Sequence, residues 1–413
     1  MTATLSDPAI LGGAPLVTAS HAQATRWPRI DGRDEEAVLS VLRSGGISQH
    51  PVIGELEAAY CERMGMPHAL AHCNGTAALL SAYHALGLQP GDEVLVPTAT
   101  WWSTIMPLLW LGLVPVFCES ESHRLGLDPE DVERRIGPRT RAMVVVHLWG
   151  MPSRMTELGQ LAKRHDLKIV EDASHAHGAV WRGQPCGGLG DISVFSLQGD
   201  KLAPAGEGGV LLCSTADQYE RATLTHDVHR VYALETAMRR FAATGYGLKA
   251  RIAPLSAALG LSQFKRLDEH NRMRRAAWLP LAAALADLGF HCFDEPSHVE
   301  RVWFECLISV PDESRLPMDL LVKALQAEGC QVAAPRYPLL HQQPLFREGV
   351  YQEILRCPDA RDLTQVALPQ TEAANQKLLR LPTFASPDTR LVEQYAMAFK
   401  RVMTNQDHIL AAQ

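Results

Sequence analysis

Apolar positions along this chain switch between two periods. From about Asp34, the residues Val38, Val41 and Leu42 fall on one helical face, and Gly45-Gly46 ends the run. Residues 53–64 repeat that pattern. Beyond them, short apolar runs alternate with helical ones. Residues 69–73, 93–97, 114–119, 141–148, 168–172, 192–197 and 208–213 read as strands. Residues 76–86, 103–111, 129–136 and 154–165 read as helices between them. Met143-Val144-Val145-Val146 is apolar without alternation, as in a strand covered on both faces. This alternation predicts a doubly wound α/β unit with a mostly parallel seven-stranded sheet.

The order changes after about Leu255. A long helical stretch runs to Leu288, followed by a strand over 302–310 and helices over 318–328, 371–379 and 390–403. That mixture predicts a second, smaller α+β unit. The first 25 or so residues lack periodicity and read as an arm. The expected organisation is an arm over 1–27, a large α/β domain over 28–262 and a smaller domain over 263–413.

Composition narrows the function classes. Of 413 residues, 46% are hydrophobic and 21% charged, so there is enough apolar surface for packed cores. Lys and Arg number 39 against 46 Asp and Glu, a net charge of -7. No global basic field exists to hold a polyanion, so no nucleic-acid partner is expected, although one local anion is compatible. The longest apolar run, 105–118, is interrupted by Pro107 and Pro115 and is too short to span a bilayer, so no membrane partner is expected. Residues 1–18 lack the basic start of a signal peptide. Nine scattered cysteines without close pairs point to reduced thiols and a cytoplasmic location.

Ligands of doubly wound sheets bind beyond the carboxyl ends of the strands, and four features fall there. Asn74-Gly75-Thr76 opens a helix, where backbone N–H groups and a hydroxyl suit a phosphate; the plainer reading of the same residues is a tight turn with a Thr cap. Thr100-Trp101-Trp102 offers an indole to stack on a planar ring, or simply to pack. Asp172 closes an apolar strand, where a carboxylate holds a protonated ring nitrogen or caps a helix. A metal reading of Asp172, His175 and His177 lacks a further ligand at recognised spacing. Lys201 stands between the strand ending Ser196-Leu197-Gln198 and the turn Gly206-Glu207-Gly208-Gly209, where a desolvated amine can react with an aldehyde. Phosphate cradle, stacking ring, carboxylate and lysine together form the kit for pyridoxal 5'-phosphate.

With these features stand Gly12-Gly13-Ala14-Pro15, Trp27-Pro28, His147-Leu148-Trp149-Gly150, Ala173-Ser174-His175-Ala176-His177-Gly178 and Tyr337-Pro338-Leu339-Leu340-His341. In this order they resemble the DegT/DnrJ/StrS family of pyridoxal-phosphate sugar and cyclitol aminotransferases, of the aspartate aminotransferase fold (fold type I). The resemblance implies that Lys201 carries the cofactor and shuttles protons, and that Asp172 pairs with the pyridine nitrogen. It places His175 near the phenolic oxygen, Trp101 over the ring, and Gly75, Thr76, Ser196 and Gln198 at the phosphate. It further implies a homodimer with shared sites. Lys249 stands where the family has an Asn that crosses to the partner's phosphate, so that contact is in question. The activity implied is amino transfer from Glu or Gln to a keto sugar or cyclitol ketone, with a pyridoxamine phosphate form in between. The alternatives are elimination or aromatisation of the aminohydroxybenzoate synthase type, or a non-catalytic regulator of the same fold.

Overall fold

The computed structural model describes residues 7–121, 125–293 and 295–412; the first six residues of the expected arm lie outside them. Seven strands form the main sheet: β1 (His68–His72), β2 (Glu93–Pro97), β3 (Val114–Cys118), β4 (Thr140–Val146), β5 (Lys168–Asp172), β8 (Ile192–Ser196) and β9 (Gly209–Cys213). Between β5 and β8, the short strands β6 (Val180–Trp181) and β7 (Gln184–Pro185) form a hairpin that sequence periodicity did not reveal. The main sheet runs β1-β9-β8-β5-β4-β2-β3. Pairs β2/β3, β2/β4, β4/β5 and β5/β8 are parallel. Strand β9 runs antiparallel to both β1 and β8. The mostly parallel seven-stranded sheet is as expected, and helices cover it, including Gly75–Ala85, Met155–His165 and Pro254–Phe264.

Register aligns the functional ends of the central strands. Val146 pairs with Asp172, and Asp172 pairs with Val194, two residues before Ser196. Strand β9 passes directly beneath the start of the Gly75–Ala85 helix. A Cβ at Gly209 would fall 2.7 Å from the Asn74 carbonyl carbon, so only glycine allows this approach.

The carboxylate of Glu171 ties the loop after β7 to the sheet. It is fully buried and accepts four hydrogen bonds: from the N–H groups of Leu189 (2.6 Å) and Gly190 (2.6 Å) on one oxygen, and from Gly187 N–H (2.8 Å) and His147 Nε2 (2.9 Å) on the other. All four partners donate. In Glu171→Gln, the new amide hydrogens face donors, and two bonds are lost in the interior. We expect a loss of about 2–4 kcal/mol, read as a lower midpoint in urea unfolding; an unchanged midpoint would refute this bracing role.

The C-terminal part has its own small sheet, in which β10 (Cys306–Ser309) pairs antiparallel with β11 (Leu378–Leu381). The helices Leu267–Ala286, Met318–Ala327 and Thr389–Thr404 pack on it, and Val17 and Ala24 of the arm join the same core. Three expectations need correction. The strand expected over 302–310 covers only Cys306–Ser309, because Trp303 and Phe304 are apolar for packing rather than pairing. The helix expected over 371–379 is Pro369–Gln376, and Leu378–Leu381 is strand. The long helix after Leu255 is two helices, Pro254–Phe264 and Leu267–Ala286, broken at Lys265-Arg266, where the guanidinium turns back to Asp31 and Asp34. Among the described residues, no helix is long and apolar enough to cross a membrane.

Candidate active site

A cavity of about 800 Å³ opens at the carboxyl ends of β4, β5 and β8. Its wall brings together Gly75, Thr76, Trp101, Asp172, His175, Ser196, Gln198 and Lys201, eight of the nine expected cofactor residues. Lys249 is exposed and outside this wall. His177 is also absent from it: the ring is buried against Tyr60 and Phe195, and burial pushes its pKa down to about 3. That histidine is core, which removes the third member of the metal reading.

One end of the cavity is built for an anion. Asn74 caps the Gly75–Ala85 helix, its side chain accepting from Ala77 N–H at 2.8 Å; the cap is Asn74 rather than Thr76. That leaves the Thr76 hydroxyl for Ser103, to which it donates at 2.8 Å. Ser196 closes the other side. A Cβ on Gly75 would meet the Ser196 Cβ at 3.0 Å, so the missing side chain keeps the helix end against the Ser196 side. Free N–H groups at a helix start, with hydroxyls beside them, suit a phosphate.

The floor holds the carboxylate. Asp172 is 6% exposed, accepting from Thr104 Oγ at 2.8 Å and from Ser174 N–H at 3.2 Å. Because the single Thr104 proton points at Asp172, the Thr100 hydroxyl, 2.9 Å away, must donate to Thr104. This hydroxyl chain fixes the carboxylate's orientation. Sequence pattern does not reveal Thr104, which stands just before the apolar run 105–118 and belongs to no motif.

Lys201 is half-buried by area, with its surface toward the cavity. Its ammonium lies 4.5 Å from the centre of the Phe304 ring. Burial, reinforced by Arg336, pushes the amine down to about 8, while Asp172, Glu305 and Asp200 act the other way. An amine so placed is part neutral at physiological pH and able to attack a carbonyl.

Aromatic rings line the rest. His175 stacks on Phe304 at 4.0 Å between centres, and Trp149 stacks on Tyr337 at 4.6 Å. Burial and the neighbouring Lys201 and Arg336 hold the His175 pKa well below its ordinary value, so the ring is neutral. Its Nδ1 accepts from Trp149 N–H (3.4 Å), which leaves Nε2–H to donate to the Tyr337 hydroxyl at 3.2 Å. Trp101 is exposed at the cavity mouth, 5.4 Å from Tyr337 between ring centres. Arg336 and Arg380 complete the wall from the C-terminal part. Three further arginines do not reach the wall: Arg251 is held by Ser48 and Asp227, and Arg239 and Arg240 lie in the turn Ala237–Phe241.

Comparison with known proteins places the chain in a family. The profile of the DegT/DnrJ/EryC1/StrS aminotransferase family matches residues 28–382. GDP-perosamine synthase of Caulobacter vibrioides is 36% identical over 326 residues, covering 77% of this chain and 85% of that one. L-glutamine:scyllo-inosose aminotransferase of Streptomyces griseus is 31% identical over 424 residues, covering 97% and 98%. The crystal structure of DesI in the presence of its TDP-sugar product superposes with a TM-score of 0.80 at 29% identity, covering 99% of both chains.

Proposed function

Given that the chain belongs to the DegT/DnrJ/EryC1/StrS aminotransferase family, we propose that it moves an amino group from glutamate or glutamine to the ketone carbon of a sugar or cyclitol. The observation that carries this reading is one cavity holding a depressed lysine amine and a hydroxyl-clamped carboxylate beside an anion-ready helix start. Membership implies the use of pyridoxal phosphate, and the donor set fits that group. When bound, it supplies an aldehyde carbon that takes up amines and a ring that draws electrons from the neighbouring bond.

The residues then divide the work. Gly75, Thr76 and Ser196, with Gln198 beside them, hold the phosphate. Trp101 covers the ring face. Asp172 holds the proton on the ring nitrogen through a charge-assisted bond, and Thr104 keeps the carboxylate aimed. The Lys201 amine would hold the aldehyde and, when free, would serve as the base that moves the proton of the donor's carbon. Neutral His175 keeps a positive charge off that part of the site, next to the place of the phenolic oxygen.

The test is spectroscopic. The visible band of the bound cofactor should bleach on adding glutamate or glutamine and recover on adding a keto sugar or keto cyclitol. A band that no amino acid bleaches would sink the reading.

A homodimer with shared sites is part of the same proposal. Tyr246 and Leu248, just before exposed Lys249, are exposed large apolar residues, as are Trp101 and Trp102 at the cavity mouth. Pairing two copies would cover these and bring Lys249 to the partner's phosphate as a point charge. Sedimentation should give about twice the 45.4 kDa chain mass, and Lys249→Ala should weaken cofactor binding about tenfold. A monomer, or unchanged affinity, would count against it. The scatter of nine cysteines, without close pairs in the sequence, supports a cytoplasmic location; the proposal fails there if fractionation finds the protein outside the cytoplasm.

A further inference from the structure

A second cavity, of about 410 Å³, lies behind Phe304 and shares Asp200, Arg336 and Arg380 with the Lys201 cavity. Trp27, Arg274 and Glu305 also line it. Its charges do not balance. Arg336 pairs with Glu305 and with Asp200 (3.3 Å), and Arg380 lies 3.8 Å from the same Glu305. Arg274 has no carboxylate within ion-pair distance among the described residues.

Arg274 is 2% exposed. It donates to the Trp303 carbonyl at 3.0 Å and lies 4.2 Å from the centre of the Trp27 ring, while its Nε has no partner. Burial pushes its pKa down only to about 10, so it stays charged at neutral pH. A buried guanidinium without a counter-charge is costly unless something supplies one. Three cations against two carboxylates leave one positive charge over, which a monoanion would match. A planar carboxylate suits guanidinium forks.

We propose that this cavity is a carboxylate subsite, and that the carboxylate it takes is that of the amino donor. The subsite adjoins Lys201 at two points, one at its amine and one at its backbone. Lys201 Nζ and the Arg336 guanidinium carbon lie 4.5 Å and 5.9 Å from the centre of the one Phe304 ring. The Trp27 indole, against which Arg274 packs, donates to the Lys201 carbonyl at 3.0 Å. An amino acid carries its amine and carboxylate on one carbon, so its amine can meet the Lys201 side while its carboxylate meets the arginines. A keto sugar or cyclitol has no carboxylate and leaves the subsite idle. The two half-reactions therefore use different walls of one site. This inference rests on the aminotransferase reading for the donor, but not for the carboxylate.

Two readouts test it on the holoenzyme. Titration calorimetry with glutarate should show binding that weakens at least about tenfold in Arg380→Gln and in Arg274→Met, with partial recovery in Arg274→Lys. In steady state, the donor KM should rise by a similar factor while the acceptor KM stays within about twofold. Should Arg274→Met fail to fold, Arg380→Gln and Arg274→Lys decide. Equal glutarate binding by all variants overturns the subsite. Parallel rises in donor and acceptor KM overturn the donor assignment. Arginine-dependent glutarate binding in a protein whose band no amino acid bleaches upholds the carboxylate subsite and refutes the aminotransferase reading alone.

Discussion

Lys201→Ala should lower the transamination rate by at least about 10⁴-fold, some 5 kcal/mol of barrier, because two functions leave with one amine. On the proposed assignment, the variant loses the group that would bind the aldehyde and the group that would carry the proton. Phosphate, ring and carboxylate contacts all lie on other residues, so cofactor should still bind, non-covalently, with a shifted band that borohydride no longer fixes to the protein. The pH dependence follows from the same amine. With a pKa near 8, the reactive neutral fraction is about a tenth at pH 7 and about a half at pH 8. Reconstitution of cofactor-free protein with pyridoxal phosphate should therefore speed up between pH 7 and pH 9 and level off above. A rate still climbing towards pH 10 would mean an unperturbed lysine. Residual activity within tenfold of wild type in Lys201→Ala would remove this lysine from the mechanism.

Asp172, Ser196 and Lys201 were legible in the sequence for a physical reason. Parallel strands buried on both faces are continuous apolar runs, and a polar residue ending such a run must sit at the sheet's carboxyl edge, where ligands bind. The same logic found Gly75 and Thr76. It could not find Thr104, whose role depends on a hydroxyl chain folding back to Asp172 across 68 residues of sequence. Nor could it find Arg380, Glu305 or Arg274, which come from the C-terminal part and meet only through tertiary packing. Arg380 was hidden further by Leu378-Leu379-Arg380-Leu381, whose apolar run continues the preceding helix by pattern. Pairing with Cys306–Ser309 overrides that pattern and places Arg380 in the cavity wall. The pairing of Arg336 with a buried Glu305 is likewise not readable from spacing.

Asp172→Asn should cost about 10²–10³-fold in kcat and leave the fold intact, because the carboxamide can keep both local contacts. Its oxygen can accept from Ser174 N–H in place of one carboxylate oxygen. Its NH₂ can donate to Thr104, whose hydroxyl then turns to donate to Thr100. What the substitution removes is the negative charge. On a carboxylate as buried as that of Asp172, one charge facing the ring nitrogen would be worth several times its value in solvent. Without it the ring nitrogen loses its proton, and the ring draws electrons less strongly from the bond that must break. The loss should appear in kcat and in the proton-transfer rate of each half-reaction, with donor KM little changed, since the proposed donor contacts lie on Arg274, Arg336 and Arg380. Thr104→Val gives the graded comparison. It keeps the charge but breaks the hydroxyl chain, so its loss should be nearer tenfold, and a cofactor analogue carrying a permanent positive charge on the ring nitrogen should rescue Asp172→Asn but not Thr104→Val. Equal losses in the two variants, or no rescue, would mean that Asp172 shapes the cavity without acting on the ring.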